Sequence, residues 1–122
     1  MAKQHNNITL IGMPASGKST IGVLLAKRLG YSFVDVDIVI QEQEKRLLKE
    51  IIEDEGLDGF LEVENRANAT LDVEKSVIAP GGSVIYGKEA MEHLKEIGLV
   101  VYLKLSYELS LIHISEPTRH LR

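Results

Sequence analysis

The stretch Gly12-Met13-Pro14-Ala15-Ser16-Gly17-Lys18-Ser19 constrains this chain more than any other. It matches the pattern G-x-x-x-x-G-K-[ST] in full. Its flanks fit as well. The apolar run Ile8-Thr9-Leu10-Ile11, with β-branched members and a stop at Gly12, reads as a buried strand. From Lys18 to Leu29 the residues Ile21, Leu24, Leu25 and Leu29 fall on one face of a helix, and Gly30 suits the left-handed position after it. A strand that enters a glycine loop and leaves as a helix makes a concave nest of backbone N–H groups, backed by the positive end of the helix. Lys18 adds a point charge for the β- and γ-phosphates, and the Ser19 hydroxyl is a hard oxygen of the kind Mg²⁺ prefers. The plain alternative, a glycine-rich turn that happens to carry Lys-Ser, leaves both flanks to coincidence. The chain is expected to bind a nucleoside triphosphate through Gly12, Pro14, Ala15, Ser16, Gly17, Lys18, Ser19 and Thr20.

Composition narrows the rest. A chain of 122 residues makes one domain. Its hydrophobic share of 44 %, charged share of 26 % and mean hydropathy near zero exclude a disordered tail, a fibre and a membrane protein. The longest apolar stretch, Ile97 to Leu103, contains Gly98 and is far short of a bilayer span, and no leading hydrophobic run resembles a signal peptide. With no cysteine, disulfides, thiolate metal sites and cysteine nucleophiles are excluded. Fourteen Lys and Arg against eighteen Asp and Glu leave a net charge of −4 and no basic block. No nucleic-acid partner and no membrane partner are therefore expected, and nothing points outside the cytoplasm; a monomer acting on a small-molecule substrate is expected, though not from composition.

Along the chain, strands alternate with helices. Tyr31–Val36 reads as a second strand, ending in Asp35 and Asp37. A charged helix from about Ile38 to Asp54 carries Leu47, Leu48, Ile51 and Ile52 as its buried stripe. Gly56 to Gly59 should break it before a further helix from Phe60 to Leu71. Ser76–Ala79 is a short strand, Lys88–Ile97 a helix stopped by Gly98, and Leu99–Leu103 an apolar strand covered on both faces. The alternation predicts a three-layer α/β sandwich with a parallel sheet and right-handed crossovers.

Two further constellations bear on chemistry. Asp35 and Asp37, two residues apart at a strand's carboxyl end, are expected on one face, where open α/β sheets bind ligands. One carboxylate near Mg²⁺ and one near a substrate hydroxyl is what a small-molecule kinase needs. The alternative is a strand-end pair that caps a helix at Ile38. Pro80-Gly81-Gly82-Ser83 ends the third strand, and its glycines allow a ligand to approach the backbone closely. Glu62 and Arg66, spaced i, i+4, are expected to form a solvated pair. His93 and His5 are not expected as ligands, since no histidine pair has metal spacing.

Together these residues resemble the shikimate kinases, small P-loop kinases of the nucleoside-monophosphate-kinase fold. The resemblance rests on Gly12 to Ser19, on Phe33-Val34-Asp35-Val36-Asp37, and on Gly56-Leu57-Asp58-Gly59-Phe60 with Glu64 after it. Ala79-Pro80-Gly81-Gly82 and Val100-Val101-Tyr102-Leu103 complete it, over about residues 7–108. It implies a parallel sheet of order 2-3-1-4-5 and transfer of the ATP γ-phosphate to a hydroxyl of shikimate, giving shikimate 3-phosphate. Lys18 and Asp37 would be catalytic, with Asp37, Gly81 and Gly82 binding substrate. Ser19 and Asp35 would serve the Mg²⁺. The chain departs from the pattern in two places: Leu61 stands where the family carries an arginine that clamps the substrate carboxylate, and Ser83 replaces a third glycine. Leu61 leaves room for a kinase of another polyol or sugar acid.

The last residues read differently. Leu109-Ser110-Leu111-Ile112-His113-Ile114-Ser115-Glu116-Pro117-Thr118-Arg119 is what a transposase-type sequencing adapter encodes in one frame, with His120, Leu121 and Arg122 as index bases. The expected organisation is an incomplete kinase core over 1–108 and a non-native read-through tail over 109–122, with the last strand of the sheet missing. Without the family's lid, such a chain should bind nucleotide weakly and turn over little. A non-catalytic nucleotide-binding module is the rival reading.

Overall fold

The computed structural model describes residues 6–12 and 15–103. Five residues, Asn7–Ile11, form β1, and helix α1 follows over Ala15–Leu29. Strand β2 (Ser32–Asp35) leads directly into α2 (Val36–Glu44), and α3 runs over Leu48–Ala69. Strand β3 (Ser76–Ala79) is followed by a 3₁₀ turn at Val84–Tyr86, then by α4 (Lys88–Ile97) and β4 (Gly98–Tyr102). The strands are parallel in the order β2-β3-β1-β4, the first four places of the expected order.

Alternation of side chains across the pleat builds two cores from one sheet. Leu10 and Val77 face α1, where they meet Ala26, Ile21 and Leu25. Ile11 and Ile78 face the opposite way, into the larger cluster of Val36, Ile40, Ile51, Val63, Ala90 and Leu94 from α2, α3 and α4. That gives the expected three layers, with one helix on one face and the others opposite. Asn7 ties the amino ends of the strands together. Its Nδ2 donates to the Val73 carbonyl at 2.9 Å and the Ile97 carbonyl at 3.0 Å, and its Oδ1 accepts the Ser76 N–H at 3.0 Å.

Several expectations need correction. Helix α1 begins at Ala15, not near Lys18, so Gly17, Lys18 and Ser19 lie in its first turns. The helix expected over 38–54 is two helices. Lys45, in the left-handed region at φ 57°, ends α2, and the chain turns through Arg46 and Leu47 before α3 begins. Glu50 then accepts the Leu47 N–H at 2.8 Å and fixes the new start. The expected break at Gly56–Gly59 shrinks to Gly56 alone (φ 78°, ψ 172°), and helical structure resumes immediately. Leu24, Leu29, Leu47 and Ile52 are exposed, although the apolar stripes counted them as buried. Strand β4 is the edge of the described sheet, so Leu99 and Tyr102 are exposed and the strand is not covered on both faces. The tail expected over 109–122 lies outside the described residues, as do Met13 and Pro14.

Candidate active site

The site gathers at the carboxyl ends of β1, β2 and β3. Gly12, just past β1, has φ +102°, and a Cβ there would stand 2.6 Å from the Leu103 carbonyl oxygen and 3.2 Å from the Tyr102 ring. Only glycine fits a turn both left-handed and walled by backbone. Helix α1 has no acidic residue in its first turn, so its positive end is uncompensated. Lys18 is buried at 4 % exposure and forms no ion pair among the described residues. A buried ammonium without an ion-pair partner is uncommon; it fits a triphosphate supplying the negative charge. Ser19 is half-buried beside it, and Thr20 is exposed.

The two aspartates are related by a helix cap, not by the pleat of a strand. Asp35 is the last residue of β2 and the N-cap of α2, and its Oδ1 accepts the Asp37 N–H at 2.9 Å. Asp37 therefore sits in the first turn of α2, and the expectation of a shared strand face is overturned. The helix starts at Val36 because Asp35 satisfies one of its open N–H groups. Burial pushes the Asp37 carboxyl above the usual carboxylate range, the Asp35 charge adds to the rise, and Lys18 opposes it.

Sequence reading did not single out Glu64 as a site residue. It lies on α3 at 3 % exposure, with its carboxylate directly against Gly81 at the end of β3. Burial raises its pKa, the Asp37 charge raises it further, and Lys18 again opposes. Lys18, Asp37 and Glu64 thus form one electrostatic cluster drawn from α1, α2 and α3. A signal was present: Phe60, Val63, Ala67 and Leu71 mark the inward stripe of a helix, and Glu64 occupies its i+4 place. A carboxylate on such a stripe is rarely just solvated. Gly81 is buried and Gly82 exposed beside it, where the Val84 N–H donates to the Gly81 carbonyl at 3.1 Å.

A cavity of about 320 Å³ opens next to this cluster, with Leu61, Glu64, Val84 and Lys88 among its lining. Arg66 is exposed and does not line it. The expected Glu62–Arg66 ion pair is not formed among the described residues. The His93 Nε2 donates to the Leu71 carbonyl at 2.6 Å, a structural role. No group of three or more His, Cys, Asp or Glu among the described residues could hold a metal alone. The donors at hand, a hydroxyl and carboxylates, fit a Mg²⁺ held mainly by phosphates and water.

Comparison with known proteins gives the chain's family. The family model described as shikimate kinase matches residues 14–120. A shikimate kinase of Alkaliphilus oremlandii is 43 % identical over 99 residues, covering 80 % of this chain and 59 % of that protein. One from Chlorobium phaeovibrioides is 41 % identical over 105 residues, covering 85 % and 53 %. The chain thus spans little more than half the length of the curated relatives it matches. Among solved structures, shikimate kinase from Acinetobacter baumannii in complex with shikimate has a TM-score of 0.74 and 33 % identity, covering 95 % of this chain and 65 % of that one. Shikimate kinase from Aquifex aeolicus has a TM-score of 0.71 and 32 % identity, covering 86 % and 63 %. By the family match over most of its length, the chain belongs to the shikimate kinase family.

Proposed function

We propose that the protein containing this chain transfers the γ-phosphoryl group of ATP to a hydroxyl of a small hydroxylated acid, shikimate, giving shikimate 3-phosphate. The observation that carries the reading is Lys18: a buried ammonium at the positive end of α1 that forms no ion pair among the described residues and faces the carboxylates of Asp37 and Glu64. ATP with Mg²⁺ supplies the transferable group and offsets its charge. Lys18 holds the β- and γ-phosphates. Ser19 and Asp35 would hold the Mg²⁺, which would neutralise charge on the phosphates. Asp37 accepts the proton that the acceptor hydroxyl loses as its oxygen bonds the γ-phosphorus and the bond to the ADP oxygen breaks. A carboxylate whose pKa is raised by burial is better suited to that step than an exposed one. The Gly81 and Gly82 backbone brackets the acceptor. Among the described residues no helix is long and apolar enough to cross a membrane.

The test is ADP release by the whole protein with Mg²⁺ and shikimate. We expect acceptor-dependent turnover that Lys18→Ala abolishes. Nucleotide binding without acceptor-dependent ADP release would favour a binding module instead. A second reading, a kinase for another polyol or sugar acid, is favoured by Leu61, because a missing guanidinium fork removes about 1.5–3 kcal/mol of charge-assisted contact to a carboxylate. A panel of acceptors separates the two, since a clear preference for a different polyol sinks the shikimate reading.

A further inference from the structure

An acid acceptor needs a cation of its own, besides the one that serves the phosphates. Lys18 is buried on α1 and faces Asp37 and Glu64. Arg66 does not line the cavity between α3 and the 83–89 segment, and Leu61, which does, carries no charge. Among the described residues lining that cavity, Lys88 is the one base. It is the first residue of α4, directly after the N-cap Gly87, and it is exposed. It forms no ion pair among the described residues. The adjacent carboxylate, Glu89, is instead taken up by Asn65, whose Nδ2 donates to Glu89 Oε1 at 3.0 Å. The Oδ1 of the same amide accepts the Ala90 N–H at 3.0 Å. One side chain of α3 thus fixes the start of α4, and with it the root of Lys88.

We propose that Lys88 sets the acceptor's specificity by pairing its ammonium with the acceptor's carboxylate, while the hydroxyls across the ring meet Asp37 and Gly81. The inference rests on the acceptor-site reading and adds the residue that recognises the acid. The cavity is charged differently at its two ends. Glu64 marks the inner one: it packs on Gly81 and shares its field with Asp37. Lys88 marks the other, where the positive end of α4 adds to its charge. Shikimate carries its carboxylate across the ring from its hydroxyls, so it matches the two ends in one orientation. The reverse orientation sets its carboxylate against Glu64 and Asp37, and like charges brought together cost binding energy. Leu61 and Val84 leave an apolar wall for the ring. The volume of about 320 Å³ lies within the range of small-molecule sites.

The test compares shikimate with its methyl ester, which keeps every hydroxyl and loses the charge. Both are titrated into the whole protein and followed by NMR shifts, so no turnover is needed. An exposed ammonium makes a modest contact, and the native protein is expected to prefer the acid by about threefold to fivefold. Lys88→Met should bring that ratio to about one, weakening the acid while leaving the ester and ATP as they were. Lys88→Arg should keep the preference. Adding Leu61→Arg to Lys88→Met supplies a cation from another wall of the same cavity and should restore it. Equal binding of acid and ester by the native protein would overturn the proposal. So would a preference that survives Lys88→Met, which assigns the carboxylate to another cation, or a loss shared by acid and ester, which makes Lys88 structural. The kinase reading fails separately: the expected ranking without acceptor-dependent ADP release sinks phosphoryl transfer and leaves the role of Lys88 standing. Binding of neither compound removes the acceptor reading and Lys88's role together.

Discussion

The Asp35 carboxylate accepts the backbone N–H of Asp37 at 2.9 Å, so one acidic residue fixes where the other enters its helix. The cap and the proposed metal role of Asp35 can be pulled apart. Asp35→Asn keeps an acceptor oxygen and should leave stability within about 0.5 kcal/mol of native, whereas Asp35→Ala should lose about 1 kcal/mol in urea unfolding. If Asn proves as damaging as Ala, the cap is not what holds this corner. With the cap preserved, Asp35→Asn should still raise the Mg²⁺ concentration needed for turnover.

Gly12 combines a φ of +102° with a carbonyl wall, the Leu103 oxygen lying 2.6 Å from where a Cβ would stand. Neither obstacle is a side chain that could swing aside. Gly12→Ala should therefore cost about 2–4 kcal/mol, combining backbone strain with overpacking. Thermal unfolding reads it, and an unchanged midpoint would mean the turn relaxes in a way the backbone wall forbids.

Much of the fold was legible because it is periodic. Ile8–Ile11, Ser76–Ala79 and Lys88–Ile97 carry pattern and punctuation together, and each forms where its residues predict. The corner at Lys45 was invisible, since a lysine at φ 57° is chosen by the tertiary packing of α2 against α3 and not by local propensity. Gly56 misled in the opposite sense: a single left-handed residue absorbs the kink that the sequence Gly-Leu-Asp-Gly spreads over four. In the site, Lys18 was readable from its motif. For Glu64 the inward stripe of its helix signals burial but not the partner, because the carboxylate packs against Gly81, a residue 17 positions away on another element.

Helix α4 is capped from outside. Gly87, its N-cap, has no side chain to offer, and Asn65 on α3 reaches over to accept the Ala90 N–H at 3.0 Å. A Cβ at Gly87 would collide with that same Asn65 amide. Asn65→Ala should lose about 1 kcal/mol, the usual cost of an empty cap. Gly87→Ser alone should destabilise as well. Combined with Asn65→Ala, however, the serine can cap in cis, and stability should recover most of the way to native. Additive losses in the double variant, measured by urea unfolding, would show that Asn65 acts otherwise.

Burial and the Asp37 charge raise the Glu64 pKa, with Lys18 opposing, and this has a sign that can be checked. Below the ordinary glutamate range the group is protonated in both folded and unfolded chains and costs nothing extra. As pH rises past its unfolded value of 4.5, the unfolded chain gives up the proton first, and stability falls until the folded pKa is passed. Glu64→Gln, uncharged throughout, escapes this. The variant should therefore be more stable than the native chain at neutral pH, by a margin that shrinks toward zero as pH is lowered through the carboxylate range. Urea midpoints from pH 4 to pH 8, compared between the two proteins, read the margin directly. A constant margin would mean that Glu64 titrates like an exposed acid. A margin that grows toward low pH would reverse the sign and require a stabilising partner for the carboxylate.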